Sequence, residues 1–120
     1  MTSEDIFFVG FREIPHGLEG FLNTQGYTLE TSHGTGVLYE HIAGQPALFY
    51  TAPIEKSEGD AVPNWNKSPV PVVAEIAVNC PIDDSDAGVE GDRIATALTR
   101  KYNGVFYDTT LDEFFAKDDL

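Results

Sequence analysis

"YTLETSHGTGVLYEHIAGQPALFYTA", Tyr27 to Ala52, is the stretch that decides the fold. Tyr27, Leu29 and Thr31 alternate with Thr28 and Glu30, the two-residue period of a half-buried strand. "SHGTG" supplies a turn in which Gly34 and Gly36 are free to take positive φ. Val37 to Ile42 reads as the second strand, "AGQP" as the second turn, and Ala47 to Ala52 as the third strand. Strands joined by short turns pair antiparallel, whereas a doubly wound parallel sheet needs a helix between successive strands. The meander therefore argues against that class.

Working outward, "IFFVGF" (Ile6 to Phe11) is a dense apolar run and reads as a buried strand. In "PHGLEGFLNTQG", Pro15 is placed to open a helix, Leu18, Phe21 and Leu22 share one face, and Gly26 closes it. Gly17 and Gly20 weaken that helix by roughly 1 kcal/mol each relative to Ala. After the meander comes a long loop, Pro53 to Pro69, with three Pro and the only Trp. Loops of this length in a compact domain are functional or mobile. "VVAEIAV" (Val72 to Val78) is β-branched and nearly all apolar, which places it centrally in the sheet.

From about Ala87 to Asn103 the pattern is helical, with Ile94, Leu98 and Tyr102 at i, i+4 and i+8. Asn103-Gly104 is a stop signal. "VFYDT" (Val105 to Thr109) reads as the last strand. Thr110 and Glu113 have capping-box spacing, which predicts a short C-terminal helix. The order predicts an α+β protein, residues 1–120 as a single domain. It has a mainly antiparallel sheet of about five to six strands, with two main helices on one face. The layout is ferredoxin-like with extra strands.

The charge is lopsided. Twenty Asp and Glu face seven Lys and Arg, a net −13 with a pI near 4.3. Such a surface repels nucleic acid and anionic lipid and attracts basic proteins or cations, although solubility alone also accounts for it. No run of 18 apolar residues exists, so no membrane span is predicted. "MTSEDIFFVGF" has acids where a signal peptide needs bases, which points to a cytoplasmic protein, and a single Cys agrees with a reducing compartment.

The densest acidic stretch is "PIDDSDAGVEGD", Pro81 to Asp92, with five carboxylates from Asp83 to Asp92. Asp86, Glu90 and Asp92 suit the positive end of the helix that follows. Asp83 and Asp84 lie ahead of the expected helix start and are left for the surface. As a calcium loop the stretch fails: counted from Asp84, Gly88 falls at the fifth position, where the sixth is required, and Ala95 stands where a bidentate Glu is needed.

Other chemistries find no motif. His16, His33, His41 and Cys80 lack zinc-ligand spacing, and Cys80 reads as a small buried hydrophobe. No nucleophile elbow and no phosphate-binding glycine loop is present, so neither a metal nor a cofactor is expected. Adjacent Glu40 and His41 point to opposite faces of a strand. The His and Tyr of the meander (His33, His41, Tyr39, Tyr50) remain as the lining of a possible enzyme or ligand pocket.

"RIATALTRKYNGVFYDTTLDEFF" (Arg93 to Phe115) resembles a pattern in small bacterial immunity proteins of polymorphic-toxin and contact-dependent inhibition systems. There an alanine-rich helix ends in Gly, and a strand ending in Tyr-Asp follows; the matching residues are Ala95, Ala97, Leu98, Gly104, Val105, Tyr107 and Asp108. The resemblance implies a single-domain cytosolic protein that binds and neutralises a cognate toxin domain, commonly a nuclease. It carries over no contact residues, because these differ between toxin pairs.

The expected function is therefore non-enzymatic inhibition of a basic toxin domain. From charge, the candidate partner-binding residues are Glu55, Glu58 and Asp60 in the long loop, with Asp83, Asp84 and Asp86. Trp65 is either an interface anchor among them or a lid over the core. The alternatives are the His/Tyr pocket and a domain that oligomerises through an exposed edge strand.

Overall fold

A computed structural model describes residues 3–42, 45–54 and 62–120 of the chain. In chain order these form β1 (Ser3–Phe11), α1 (Leu18–Thr24), β2 (Tyr27–His33), β3 (Gly36–His41), β4 (Ala47–Thr51), β5 (Ala74–Pro81), α2 (Ser85–Tyr102), β6 (Val105–Asp108) and β7 (Glu113–Ala116). The strands make one seven-stranded sheet in the order β2-β3-β4-β5-β1-β6-β7. Every neighbouring pair is antiparallel. The class is α+β, as the meander requires, and β5 stands at the centre.

The two-residue period of β1 sorts its side chains between two cores. Phe7, Val9 and Phe11 face the helices, together with Ala74, Ile76, Val78 and Cys80 of β5. Onto them pack Leu18 and Leu22 of α1 and Ala87, Ile94, Ala95 and Leu98 of α2. Val9, Leu22, Ile76, Ile94 and Leu98 are fully buried, each stabilising the fold by about 1.5–3 kcal/mol. Phe8, Ala77, Val105 and Tyr107 face the other way, into a smaller core covered by Trp65 of the long loop, by Val70 and Val72 of the segment leading into β5, and by Phe114. Gly10 belongs to this side. A Cβ there would stand 2.8 Å from Val72 Cγ2 and 3.0 Å from Trp65 Cζ3, so the loop lies flat only because residue 10 has no side chain.

Four expectations are corrected. The sheet has seven strands, more than expected, because Glu113–Ala116 of the predicted C-terminal helix is strand β7, which leaves a single 3-10 turn at Lys117–Asp119. The Asp108 carboxylate accepts from the Thr110 and Leu111 amides and folds the chain back, with Asp112 in the left-handed region at φ 52°. Phe114 then meets Tyr107 on one face and Phe115 meets Phe106 on the other, at 4.8 and 5.9 Å between ring centroids. Two adjacent Phe that each cover a different core demand the strand period, and this overrides the capping-box spacing.

The layout also departs from a ferredoxin-like one, since α1 delivers the chain to the outermost strand, β2. What remains of that plan is the β5-α2-β6 crossover with β1 between its strands. Third, α1 starts only at Leu18, because Gly17 sits at φ 67° and interrupts the turn that Pro15 would have begun. Fourth, α2 begins at Ser85, two residues before Ala87, because Asp84 is its N-cap.

Candidate functional site: an acidic end and a tethered carboxylate

Antiparallel registers fix which residues share an end of the sheet. β1 starts with Glu4 opposite Cys80 and Asp5 opposite Asn79, so it begins where β5 finishes. Asp83, Asp84 and Asp86 follow β5 directly. β6 ends with Asp108 beside Phe7, and the turn into β7 adds Asp112 and Glu113. Glu40 reaches the same end through its pairing with Ala47, itself opposite Asn79. The cations go elsewhere. Arg12 follows the far end of β1, Arg100 and Lys101 occupy the last turn of α2, and Lys117 follows β7. Among the described residues, no Lys or Arg stands on the strand ends and turns that hold these acids. Arg93 stands midway along α2, where Glu90 pairs with it.

The predicted site residues fall into separate places. Asp83 and Asp86 are exposed at the acidic end. Asp84 is there too, but its carboxylate accepts from the Asp86 and Ala87 amides at 3.0 and 3.1 Å. That corrects the expectation that Asp84 lies too far ahead of the helix to cap it. Glu55, Glu58 and Asp60 lie outside the described residues. Trp65 is 8% exposed and sits over Gly10 and Val105, toward the far end of β1. Its indole N–H donates to Glu75 Oε1 at 3.0 Å, so the side chain takes the lid position. Burial raises the Glu75 carboxyl above its ordinary range, and the indole bond opposes this. Trp65 and the Asp83–Asp86 turn are thus associated with opposite ends of β5 and do not form one patch.

The structure gathers a second group that the sequence did not reveal. Glu90, in the second turn of α2, receives the Tyr27 hydroxyl at 2.9 Å and two Arg93 N–H donors at 2.7 Å each. Arg93 continues to the side chain and backbone carbonyl of Gln25 at 2.8 and 3.3 Å. His41 Nε2 stands 3.8 Å from Glu90, and its ring meets Tyr27 edge-on at 4.9 Å. Arg93 holds the Glu90 carboxyl below its ordinary range, while burial pushes the Tyr27 phenol far up. Glu90 therefore stays ionised and Tyr27 stays protonated, which suits a structural tie between α2 and the α1–β2 corner. In the sequence His41 stood out only as one of the meander's His and Tyr residues, and Tyr27 only as the start of an alternating strand; Glu90 and Arg93 lie far along the chain, in α2.

The other members of the His/Tyr set do not join this group. Tyr39 is buried in the helix-side core, and Tyr50 packs edge-on against Phe11. The side chain of His33 lies outside the described residues. Cys80 is fully buried, which pushes its thiol up to about 11, as befits a small core residue.

A groove of about 500 Å³ opens along the first half of α2, lined by Phe7, Ser85, Gly88, Val89, Asp92 and Arg93. Among the described residues, no group of three or more His, Cys, Asp or Glu is placed to hold a metal ion. None of their helices is long and apolar enough to cross a membrane. Comparison with protein families, with curated proteins and with solved structures found no match to this chain.

Proposed function

We propose that the protein is a non-enzymatic inhibitor: an immunity protein whose acidic end enters the basic cleft of a cognate toxin domain, of nuclease type, and excludes its substrate. The observation that carries this reading is the segregation of charge. A coat needed only for solubility has no reason to be one-sided. Here, among the described residues, acids from five separate segments meet at one end with no Lys or Arg on the strand ends and turns that hold them. At the other end Glu13, Asp118 and Asp119 stand next to Arg12 and Lys117, so the net negative charge is one-sided. A polarised molecule of this kind orients a basic partner during approach and raises the association rate. Asp83 and Asp86 are the central contacts from the predicted set, with Glu4, Asp5 and Asp112 beside them. The cytoplasm, where an incoming nuclease would act, is the site of action.

The test is binding to the product of any neighbouring toxin-like gene, measured at low and at physiological salt, and the absence of such a partner counts against the proposal. Asp83→Asn with Asp86→Asn is expected to slow association several-fold at low salt, and less at high salt. Association that ignores both salt and these substitutions would sink the proposal.

A second reading, a small ligand-binding or catalytic domain, is favoured by the half-buried Tyr27–His41–Glu90–Arg93 group. It predicts small-molecule binding by the parent protein that disappears in Glu90→Gln while that variant stays folded.

A further inference from the structure

Two residues of α2 have no explanation in the fold. Gly88 lies inside the helix, where glycine is disfavoured. A Cβ at that position would meet no atom within 4 Å, so no close approach requires it. Gly91, one turn on, is the contrast: its Cβ would stand 2.8 Å from Cys80 Sγ and 3.2 Å from the Phe7 ring, which is how the helix settles onto the sheet. Val89 is 71% exposed, an apolar β-branched residue on the helix surface. Gly88 and Val89 line the same groove, whose floor includes the ring of Phe7. The missing side chain at 88 helps to keep that groove open.

The rim is acidic. Asp92 lines it, Asp86 is in the preceding turn of the helix, and Asp108 pairs directly with Phe7 and so shares its face of the sheet. The Arg93 charge is already answered by Glu90. A second copy of this chain would bring acid against acid, and nucleic acid or anionic lipid would be repelled likewise. The chemistry that fits is an apolar side chain flanked by cations.

We infer that this groove receives one apolar side chain of a cationic segment of the protein partner, with Lys or Arg on either side of it meeting Asp86, Asp92 and Asp108. This rests on the inhibitor reading above and names the contact that adds to its electrostatics. The exposed charges orient the partner, and the desolvated apolar anchor slows its departure.

Two peptides test it: one of Lys and Ser with a single central Leu, and the same peptide with Ser in place of that Leu. Each is titrated into the isotope-labelled full chain while amide shifts are followed. The Leu peptide is expected to bind about tenfold tighter or more, and to move the Phe7, Gly88 and Val89 resonances. Gly88→Leu fills the groove with the protein's own side chain and should bring the two peptides to equal affinity. Because the space at 88 is open, that variant should melt no lower than the parent, and Gly88→Ala should melt higher. Equal affinity of both peptides for the parent protein overturns the groove and leaves the acidic-end reading standing. Binding of neither peptide overturns the groove and counts against the acidic-end reading as well. A Leu preference that survives Gly88→Leu places the anchor elsewhere and also overturns it.

Discussion

The Tyr27 hydroxyl donates to Glu90 at 2.9 Å, joining the first residue of β2 to the second turn of α2 across 63 positions of chain. Through Arg93 the same carboxylate reaches Gln25, so one acid ties α2 to the corner where α1 turns into the edge of the sheet. Tyr27 is otherwise fully buried, and its hydroxyl has this partner to satisfy it. Tyr27→Phe should keep the packing, remove one donor from a carboxylate that retains Arg93, and cost about 1 kcal/mol in urea unfolding. A loss much larger than this would show that the bond organises more than its own contact.

Two glutamates should give stability opposite pH dependences. Arg93 depresses Glu90 in the folded state, so its contribution is present above the ordinary Glu range and is lost as pH falls through the depressed value. Burial raises Glu75, so the fold favours its protonated form, and stability from this residue declines as pH rises from the ordinary range through the raised value. Glu75→Gln keeps an oxygen for the Trp65 N–H and should remove that decline, leaving the variant more stable than the parent at neutral pH. Glu90→Gln should instead remove the loss seen on acidification. Denaturant midpoints measured from pH 3 to pH 7 would separate the two.

Asp83 and Asp84 are neighbours with different duties. Asp84→Ala removes the α2 N-cap and should cost about 1 kcal/mol in thermal or denaturant unfolding. Asp83→Ala removes an exposed side chain and should change stability by less than about 0.5 kcal/mol. Only the second can therefore report on partner binding without a stability correction.

Trp65→Ala should cost about 3–5 kcal/mol, since it empties the smaller core and leaves the buried Glu75 carboxyl without its indole partner. Toxin binding by Trp65→Phe, measured where that variant is folded, should match the parent. A large binding defect there would return Trp65 to the interface.

Gly104 has the least room for a side chain among the described glycines. A Cβ there would run into the Gly10 carbonyl oxygen, a backbone atom with little room to yield. Gly104→Ala should cost about 3 kcal/mol, the upper end of ordinary overpacking. Gly20→Ala, where a Cβ meets nothing within 4 Å, should instead raise the melting temperature.

Local patterns were enough for most of the elements. The alternation in Tyr27–Ala52 gave the meander, the run at Ile6–Phe11 and that at Val72–Val78 gave the two inner strands, and Ile94, Leu98 and Tyr102 gave α2. Each of these is a period that survives because a buried face enforces it along a few consecutive residues. The pattern misled where two local signals competed. At Thr110–Glu113 the capping-box spacing was outweighed by Phe114 and Phe115, which each needed a different core. At Asp84 the helix start depended on a single carboxylate turning back onto two amides.

By itself, then, the sequence determined the antiparallel class, the central place of β5, the amphipathic second helix and the size of the negative charge. All follow from composition or from spacing within one segment. Only the tertiary structure decided that Asp5, Asp83, Asp108 and Asp112 share one end, that Trp65 belongs to the other, and that Tyr27 finds Glu90. Those are contacts between segments far apart in the chain, set by strand register and sheet order, and no window of neighbouring residues contains them.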